Sequence, residues 1–198
     1  MTVSDEDVQV VTEQLGRPAR GVVEVAHRCP CGLPDVVATA PLIDDGTPFP
    51  TVFYLTCPRA RAAVSTLESQ GVMARFNDEL NEDAELAAHF RAAHQQYLAA
   101  RQDVAAEAGV DVPPALDGIS AGGMPDRVKC LHVLVAHALA AGPGVNPLGD
   151  RTLELLRAGG ADDGVTEGGH EGGTDAQGST RRGVDPWRCD VPCVIGAH

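Results

Sequence analysis

The chain has 198 residues, 43% of them hydrophobic, which is enough for one domain with a sizeable core. Its formal net charge of −13 argues against nucleic acid or an anionic membrane surface as the main partner, because both require a basic face. No apolar run approaches the roughly 20 residues of a membrane span, and the acidic N-terminus does not resemble a signal peptide. We therefore expect a cytoplasmic protein whose six cysteines are thiols, metal ligands or redox groups rather than structural disulfides.

The first half of the chain predicts one helix and then three strands. Ser4 and Asp7 resemble a capping box and Gly16 is a typical helix stop, so we expect a helix over residues 4–15. Valine-rich segments bounded by Pro and Gly turns predict strands over residues 21–28, 35–40 and 51–56. The tight turn between the first two strands favours antiparallel pairing.

The second half of the chain predicts helices. Pro58 opens one that ends at Gly71, and Asn81 caps a longer one that runs to residue 108. A loop rich in Pro, Gly and Ser then leads to helices over residues 126–141 and 150–157. His89 and His94 fall on the long acidic helix, where we expect both to be solvated.

These elements define an α+β fold class, with a small three-stranded, mostly antiparallel sheet packed against three to four helices. Residues 1–157 are expected to form a single globular domain. Residues 158–183 are rich in Gly and acidic residues and predict a disordered linker. Residues 184–198 form a short tail with the only Trp and two cysteines, which suggests that it docks on the domain.

The first motif is the turn Cys29-Pro-Cys31-Gly. Two thiols in a Pro and Gly turn resemble half of a zinc knuckle, in which the turn directs two sulfurs at one ion. The usual knuckle has two residues between its cysteines and this turn has one. The alternative is a tight hairpin with a buried, inert cysteine.

The second motif is Thr56-Cys57-Pro-Arg59-Ala-Arg61, where a predicted strand ends and a helix begins. Free helix N–H groups and the two nearby arginines favour a thiolate at Cys57, and the same features bind phosphate or carboxylate. The alternative is a buried cysteine at the end of a strand.

The third motif comprises Gly122, Gly123, Arg127 and Lys129, just before and within a predicted helix. Glycines allow close backbone approach and the two basic side chains supply positive charge, so the segment predicts a cradle for an anion. It lacks the spacing of a Walker P-loop.

Helix geometry limits what Cys130 and His132 can do together. In a helix over residues 126–141 the two side chains lie about 160° apart, so an intact helix cannot direct both at one ion. A metal site would then be composite, with this helix packed against the Cys29 turn or Cys57, or the helix would begin later. The alternative for His132 is a hydrogen-bonded histidine at the core boundary.

Three blocks of the sequence, residues 20–37, 45–59 and 122–150, resemble a bacterial family known as domain of unknown function 501. The resemblance implies a cytoplasmic protein of high-GC bacteria, whose genes often lie near those of a cell-division initiator and an exopolyphosphatase-like protein. It implies no catalytic residue, because the family has no established activity. The positions that match the family's blocks include Cys29, Cys57, Lys129, Cys130 and His132.

Three hypotheses of function follow, and whether the protein is an enzyme stays open among them. The first is a zinc-binding module built from Cys29, Cys31, Cys57 and Cys130, with His132 or Cys193 as substitutes. The second is an enzyme or sensor for a small anionic or phosphorylated ligand, with Cys57 as reactive thiol. Its anion would be held by Arg59, Arg127, Lys129, Gly122 and Gly123. The third is a non-catalytic interaction protein linked to cell division or polyphosphate metabolism.

Overall fold

Valine-rich segments and tight turns build a small antiparallel sheet in the computed structural model, which describes residues 3–43 and 45–158. Its strands are β1 (Val22–Arg28), β2 (Pro34–Thr39) and β3 (Phe53–Leu55), in the order β1-β2-β3. The turn between β1 and β2 is closed by the amide of Cys29, which donates to the Leu33 carbonyl at 2.9 Å. Gly32 occupies this turn with a φ of 86°, a conformation that favours glycine.

Six α-helices accompany the sheet in the described part of the chain. They are α1 (Asp5–Leu15), α2 (Pro58–Ser69), α3 (Val72–Glu82), α4 (Ala84–Ala108), α5 (Leu131–Ala141) and α6 (Pro147–Arg157), with a short 3₁₀ helix at Pro114–Leu116. The predicted α+β class and antiparallel three-stranded sheet are confirmed. The boundaries of the predicted linker and cysteine-containing tail stay predictions, since residues 159–198 lie outside the described residues.

The core forms around β2 and α5. Every residue of the central strand β2 is buried, and the largely apolar α5 packs against β3, α6 and α2. Burial of both elements is what a two-layer α+β architecture requires, because each hides an apolar face on the other. As a result, the N-terminal end of α5 lies beside α2.

The helix α3 was not predicted from the sequence. Gly71 is left-handed, with a φ of 82°, and it separates α2 from α3 instead of leading into a loop. The buried residues Val72, Phe76 and Leu80 recur every four positions along α3, a helical pattern that the sequence already contained. The prediction that Asn81 caps the long helix was wrong. Asp83 does so, its carboxylate accepting hydrogen bonds from the amides of the first turn of α4.

The predicted starts of the last two helices were also wrong. The helix expected from residue 126 begins at Leu131, and Asn77 of α3 binds the backbone of the turn segment that precedes it. The Asn77 side chain donates to the Val128 carbonyl at 3.0 Å and accepts from the Val128 amide at 2.7 Å. These bonds replace the helical ones that Val128 would otherwise make. The helix expected from residue 150 begins at Pro147, after the cap residue Asn146.

Among the two histidines expected to be solvated, only His89 is exposed. His94 is buried, and its Nδ1 lies 2.9 Å from Ser120 Oγ. Burial lowers the pKa of His94 below its ordinary value. The helix periodicity did not reveal this, because the loop that covers His94 comes from 26 residues further along the chain.

Arg101 is a buried cation that joins the loop after α4 to the segment just before β3. Its guanidinium donates to the carbonyls of Leu116, Ile119 and Pro50, and only 1% of the residue is exposed. We expect Arg101→Met to lower the free energy of unfolding by about 3 kcal/mol, since three backbone carbonyls lose a charged donor. Urea denaturation measures this, with Arg91→Met on the exposed face of α4 as the matched control. A loss below about 1 kcal/mol would contradict the role given to Arg101.

His137 sits in the core in one fixed protonation state. Its ring packs against both Phe53 and Tyr97, with ring centroids 5.8 and 5.1 Å away. Asn146 Nδ2 donates to its Nδ1 at 3.1 Å, and the orientation of that amide is set by Asn146 Oδ1, which accepts from the Gly149 amide. The Nε2–H of His137 then donates to Gln96 Oε1. The imidazole is therefore neutral, and burial lowers its pKa to about 4.

This lowered pKa predicts a loss of stability in mild acid. The unfolded chain protonates His137 near its ordinary pKa of about 6.5, whereas the folded chain does so only near 4, so stability falls as the pH drops between these values. The full effect is about 3 kcal/mol. Urea unfolding at a series of pH values should show a shallower slope in this window for His137→Gln. An unchanged slope in the variant would show that His137 is not responsible.

Candidate functional site

The candidate site lies where the second half of α2 meets the N-terminus of α5. Glu68 on α2, Cys130 just before α5 and His132 in its first turn each offer one ligand atom, and these atoms all lie within 4.8 Å of one another. Glu68 is held there by the backbone of the other helix, because its Oε1 accepts from the Leu131 amide at 2.7 Å. That bond satisfies one of the free N–H groups at the start of α5. The same carboxylate thus joins the two helices and faces the cluster.

Cys130 contributes because it precedes the helix rather than lying in it. It is the N-cap of α5, with an extended backbone (φ −157°, ψ 117°), and its Sγ lies 3.8 Å from His132 Nδ1. The prediction that Cys130 and His132 point in opposite directions was therefore wrong, since it placed both in one continuous helix. The later helix start, which was the alternative, allows both side chains to face one point.

The ring of His132 is held by contacts on both nitrogens. Its Nε2 lies 3.2 Å from the carbonyl oxygen of Arg61, which can only accept, so Nε2 carries the proton of this bond. Nδ1 lies 3.2 Å from Glu68 Oε1 and also faces Cys130. The electron-rich atoms His132 Nδ1, Glu68 Oε1 and Cys130 Sγ therefore converge. Their proximity requires either a proton on Nδ1 or a cation among the three atoms.

The electrostatics of the cluster favour positive charge at that point. The hydrogen bond to Cys130 raises the pKa of His132 above its ordinary value, and the charge of Glu68 adds to this against the opposing effect of burial. A histidine with two acidic neighbours on the same nitrogen attracts a proton in the metal-free chain. The same field would attract a metal cation.

The other predicted metal ligands lie elsewhere. Cys29 is buried in the hairpin turn, Cys31 is half-buried beside it, and Cys57 is fully buried as the N-cap of α2. Within residues 3–43 and 45–158, none of these three thiols belongs to a cluster of three or more metal-ligating atoms. Cys29 and Cys57 are part of the apolar core, which explains why they are kept from the cluster at α5. Cys193 lies outside the described residues.

The predicted anion cradle forms a turn instead of a helix start. Gly122 and Gly123 line a cleft of about 470 Å³ together with Arg127 and Lys129. The turn uses its own amides, because Lys129 N donates to the Gly122 carbonyl at 2.7 Å and Arg127 N to that of Gly123 at 3.2 Å. Asp126 lines the same cleft and opposes an anion there. Arg59 lies in the first turn of α2.

One functional candidate on α2, Glu68, was missed in the sequence, whereas Arg61 belongs to the second motif predicted from it. Arg61 lines a cleft of about 280 Å³ into which Cys130 and His132 also face, and Glu68 completes the cluster. Arg61, Ser65 and Glu68 follow one another at helical spacing, and each of them contacts His132. This stripe of polar residues was the sequence signal for the site. The sequence does not show which helix packs against it, and a polar stripe equally indicates a helix face exposed to solvent.

The fold and the cluster define an α+β protein with a Glu/Cys/His site at the junction of two helices. The chain belongs to the family described as "Protein of unknown function (DUF501)", whose sequence model matches residues 25–154. Glu68, Cys130 and His132 all fall within that match. No curated protein and no solved structure matches the chain. Among the described residues, no helix has the length and apolar character needed to cross a membrane.

Proposed function

We propose that this protein binds a metal ion, zinc, through Glu68, Cys130 and His132. The observation that supports the proposal most is the convergence of the three ligand atoms within 4.8 Å, at a histidine whose other nitrogen is fixed by the Arg61 carbonyl. A histidine that ligates a metal almost always donates its second N–H to a carbonyl or carboxylate, which fixes the tautomer and the ring orientation. The Arg61 carbonyl has that role here.

Two of the ligand-to-ligand distances in the cluster are close to those of a tetrahedral zinc site. Zinc–nitrogen and zinc–sulfur bonds of about 2.0 and 2.3 Å place neighbouring ligand atoms roughly 3.3 to 3.6 Å apart. The Nδ1 of His132 lies 3.2 Å from Glu68 Oε1 and 3.8 Å from Cys130 Sγ. Both distances lie close to that range.

The choice of zinc follows from the ligand types. A thiolate and an imidazole favour zinc over magnesium or calcium, which prefer oxygen ligands alone. Three protein ligands leave a fourth position for water or a substrate, which is the arrangement of catalytic rather than structural zinc sites. Cys130 and His132 also line the 280 Å³ cleft, so the open position faces a space that a small molecule can enter.

The test is the metal content of the full chain. Purified without added zinc and freed of loosely bound ions, it should retain about one zinc per chain by elemental analysis. Removal of the ion with a chelator and titration with zinc should restore the same stoichiometry. A chain that takes up less than about a tenth of an equivalent in both experiments would contradict the proposal.

A second candidate function is thiol chemistry at Cys130 with a small anionic substrate. It is favoured by the position of Cys130 at the N-terminus of α5, beside His132 and open to a cleft, since helix N-termini and imidazoles favour the thiolate. Cys57, the reactive thiol predicted from the sequence, is fully buried. Alkylation separates the two candidates, because zinc should protect Cys130 if it is a ligand. Rapid alkylation at equal rates with and without zinc would favour the thiol function.

The third hypothesis, an interaction role linked to cell division or polyphosphate metabolism, stays a prediction.

A further inference from the structure

We propose that the 280 Å³ cleft binds a small organic anion, with its charged head between the metal and Arg61 and its apolar body against β3 and α5. The inference rests on the metal site proposed above and names the class of ligand that the open position would take. It depends on three properties of the cleft, which are its free positive charge, its apolar wall and its size.

The positive charge comes from Arg61. Its backbone carbonyl holds His132, and Arg61 lines the cleft together with Cys130. The guanidinium has no hydrogen bond or ion pair within residues 3–43 and 45–158. A half-buried arginine at the wall of a cleft, with its five donors unused by the protein, is suited to bind a carboxylate or a phosphate in a bidentate manner.

The charge balance of the loaded site also calls for an anion. Zinc carries two positive charges, which the Glu68 carboxylate and the Cys130 thiolate neutralise, while His132 binds as a neutral ligand. The charge of Arg61 then remains uncompensated beside the open coordination position. An anionic head group satisfies both the open coordination position and the charge of Arg61, because it supplies an oxygen to the metal and accepts hydrogen bonds from the guanidinium.

Part of the lining of the cleft is apolar, although Thr51 and Tyr54 also line it. The apolar part includes Phe53 and Leu55, which lie two positions apart on β3 and so face the same side of the sheet, and Val133 of α5. Such a wall favours an apolar body over a second charged group. A volume of about 280 Å³ is at the lower end for ligand pockets, so the ligand is smaller than a typical drug molecule.

The experiment uses the full, zinc-loaded chain and probes that share one apolar body. Benzylphosphonate and phenylacetate carry a phosphonate or a carboxylate head, benzyl alcohol has no charge, and inorganic phosphate has no body. Calorimetric titration should show one anionic probe bound at least about tenfold more tightly than benzyl alcohol and inorganic phosphate. The ratio of the two anionic affinities identifies which head group the site prefers.

Two variants locate the binding. Arg61→Met should weaken the preferred anion at least about tenfold without changing the zinc stoichiometry, since the backbone carbonyl that holds His132 is kept. Arg127→Met, in the cleft of the Gly122 turn, should leave the affinity unchanged. Weakening by Arg127→Met instead of Arg61→Met would overturn the inference and place the anion at that turn.

The same titrations separate this inference from the proposed function. Zinc binding with no Arg61-dependent anion binding overturns the inference and leaves the metal site standing. Anion binding that is equally tight after zinc removal overturns coordination of the head group to the metal. A wild-type chain that binds no zinc contradicts the proposed function, and with it the part of this inference that uses the ion.

Discussion

Replacing Cys130 with serine is expected to lower the zinc affinity of the chain at least about 100-fold, because the site loses its only thiolate. Glu68→Gln and His132→Gln should weaken binding in the same direction. The glutamine at position 68 keeps an oxygen that can accept from the Leu131 amide, so α5 retains its cap while the charge is lost. Competition with a chromophoric chelator measures each affinity.

Cys31→Ser is the matched control for this series. Cys31 is a half-buried thiol like Cys130, but it lies outside the cluster, so zinc affinity should stay within about twofold of the wild type. Circular dichroism confirms that each variant is folded before its affinity is compared. A loss of affinity in Cys31→Ser as large as that in Cys130→Ser would favour the cysteine-rich ligand set predicted from the sequence.

Gly149→Ala is expected to destabilise the fold by about 3 kcal/mol. Gly149 lies in α6 where that helix crosses α5, and a β-carbon there would overlap the carbonyl oxygen of Leu134 and lie 2.8 Å from the β-carbon of Ala138. In most helix interiors the same substitution stabilises by roughly 0.5–1 kcal/mol, so the sign of the effect is diagnostic. Backbone atoms cannot move aside as a flexible side chain can, and the two helices would have to separate.

Urea denaturation measures this effect. Glu154→Ala, an exposed position on the same helix, serves as the control and should stay within about 0.5 kcal/mol of the wild type. An increase in stability in Gly149→Ala would show that α5 and α6 are further apart than the structure places them.

Local patterns in the sequence predicted most of the fold. The Ser4 and Asp7 capping box is present, with the Ser4 side chain accepting from the Asp7 amide, and Gly16 ends α1 in the left-handed conformation. Valine-rich segments and a tight turn correctly predicted the antiparallel sheet. The missed helix α3 carried a helical pattern, but Gly71 was interpreted only as a stop.

The candidate site was predicted in part. Cys130 and His132 were among the predicted ligands, and the need for a second segment beside α5 was also predicted. The partner was taken to be the Cys29 turn or Cys57, whereas the structure provides Glu68 of α2. The start of α5 depends on Asn77, which is 51 residues away from Val128 along the chain. A contact of that range leaves no local signal, so the geometry of Cys130 could not be derived from helix periodicity alone.

The most direct test of the metal site is X-ray absorption at the zinc edge, measured on the full chain loaded with one equivalent. We expect a single sulfur at about 2.3 Å and nitrogen or oxygen ligands at about 2.0 to 2.2 Å, from His132, Glu68 and the ligand in the open position. The sulfur should disappear in Cys130→Ser and remain in Cys31→Ser. Two or more sulfurs around the zinc, or a sulfur that persists in Cys130→Ser, would contradict the site at the junction of α2 and α5.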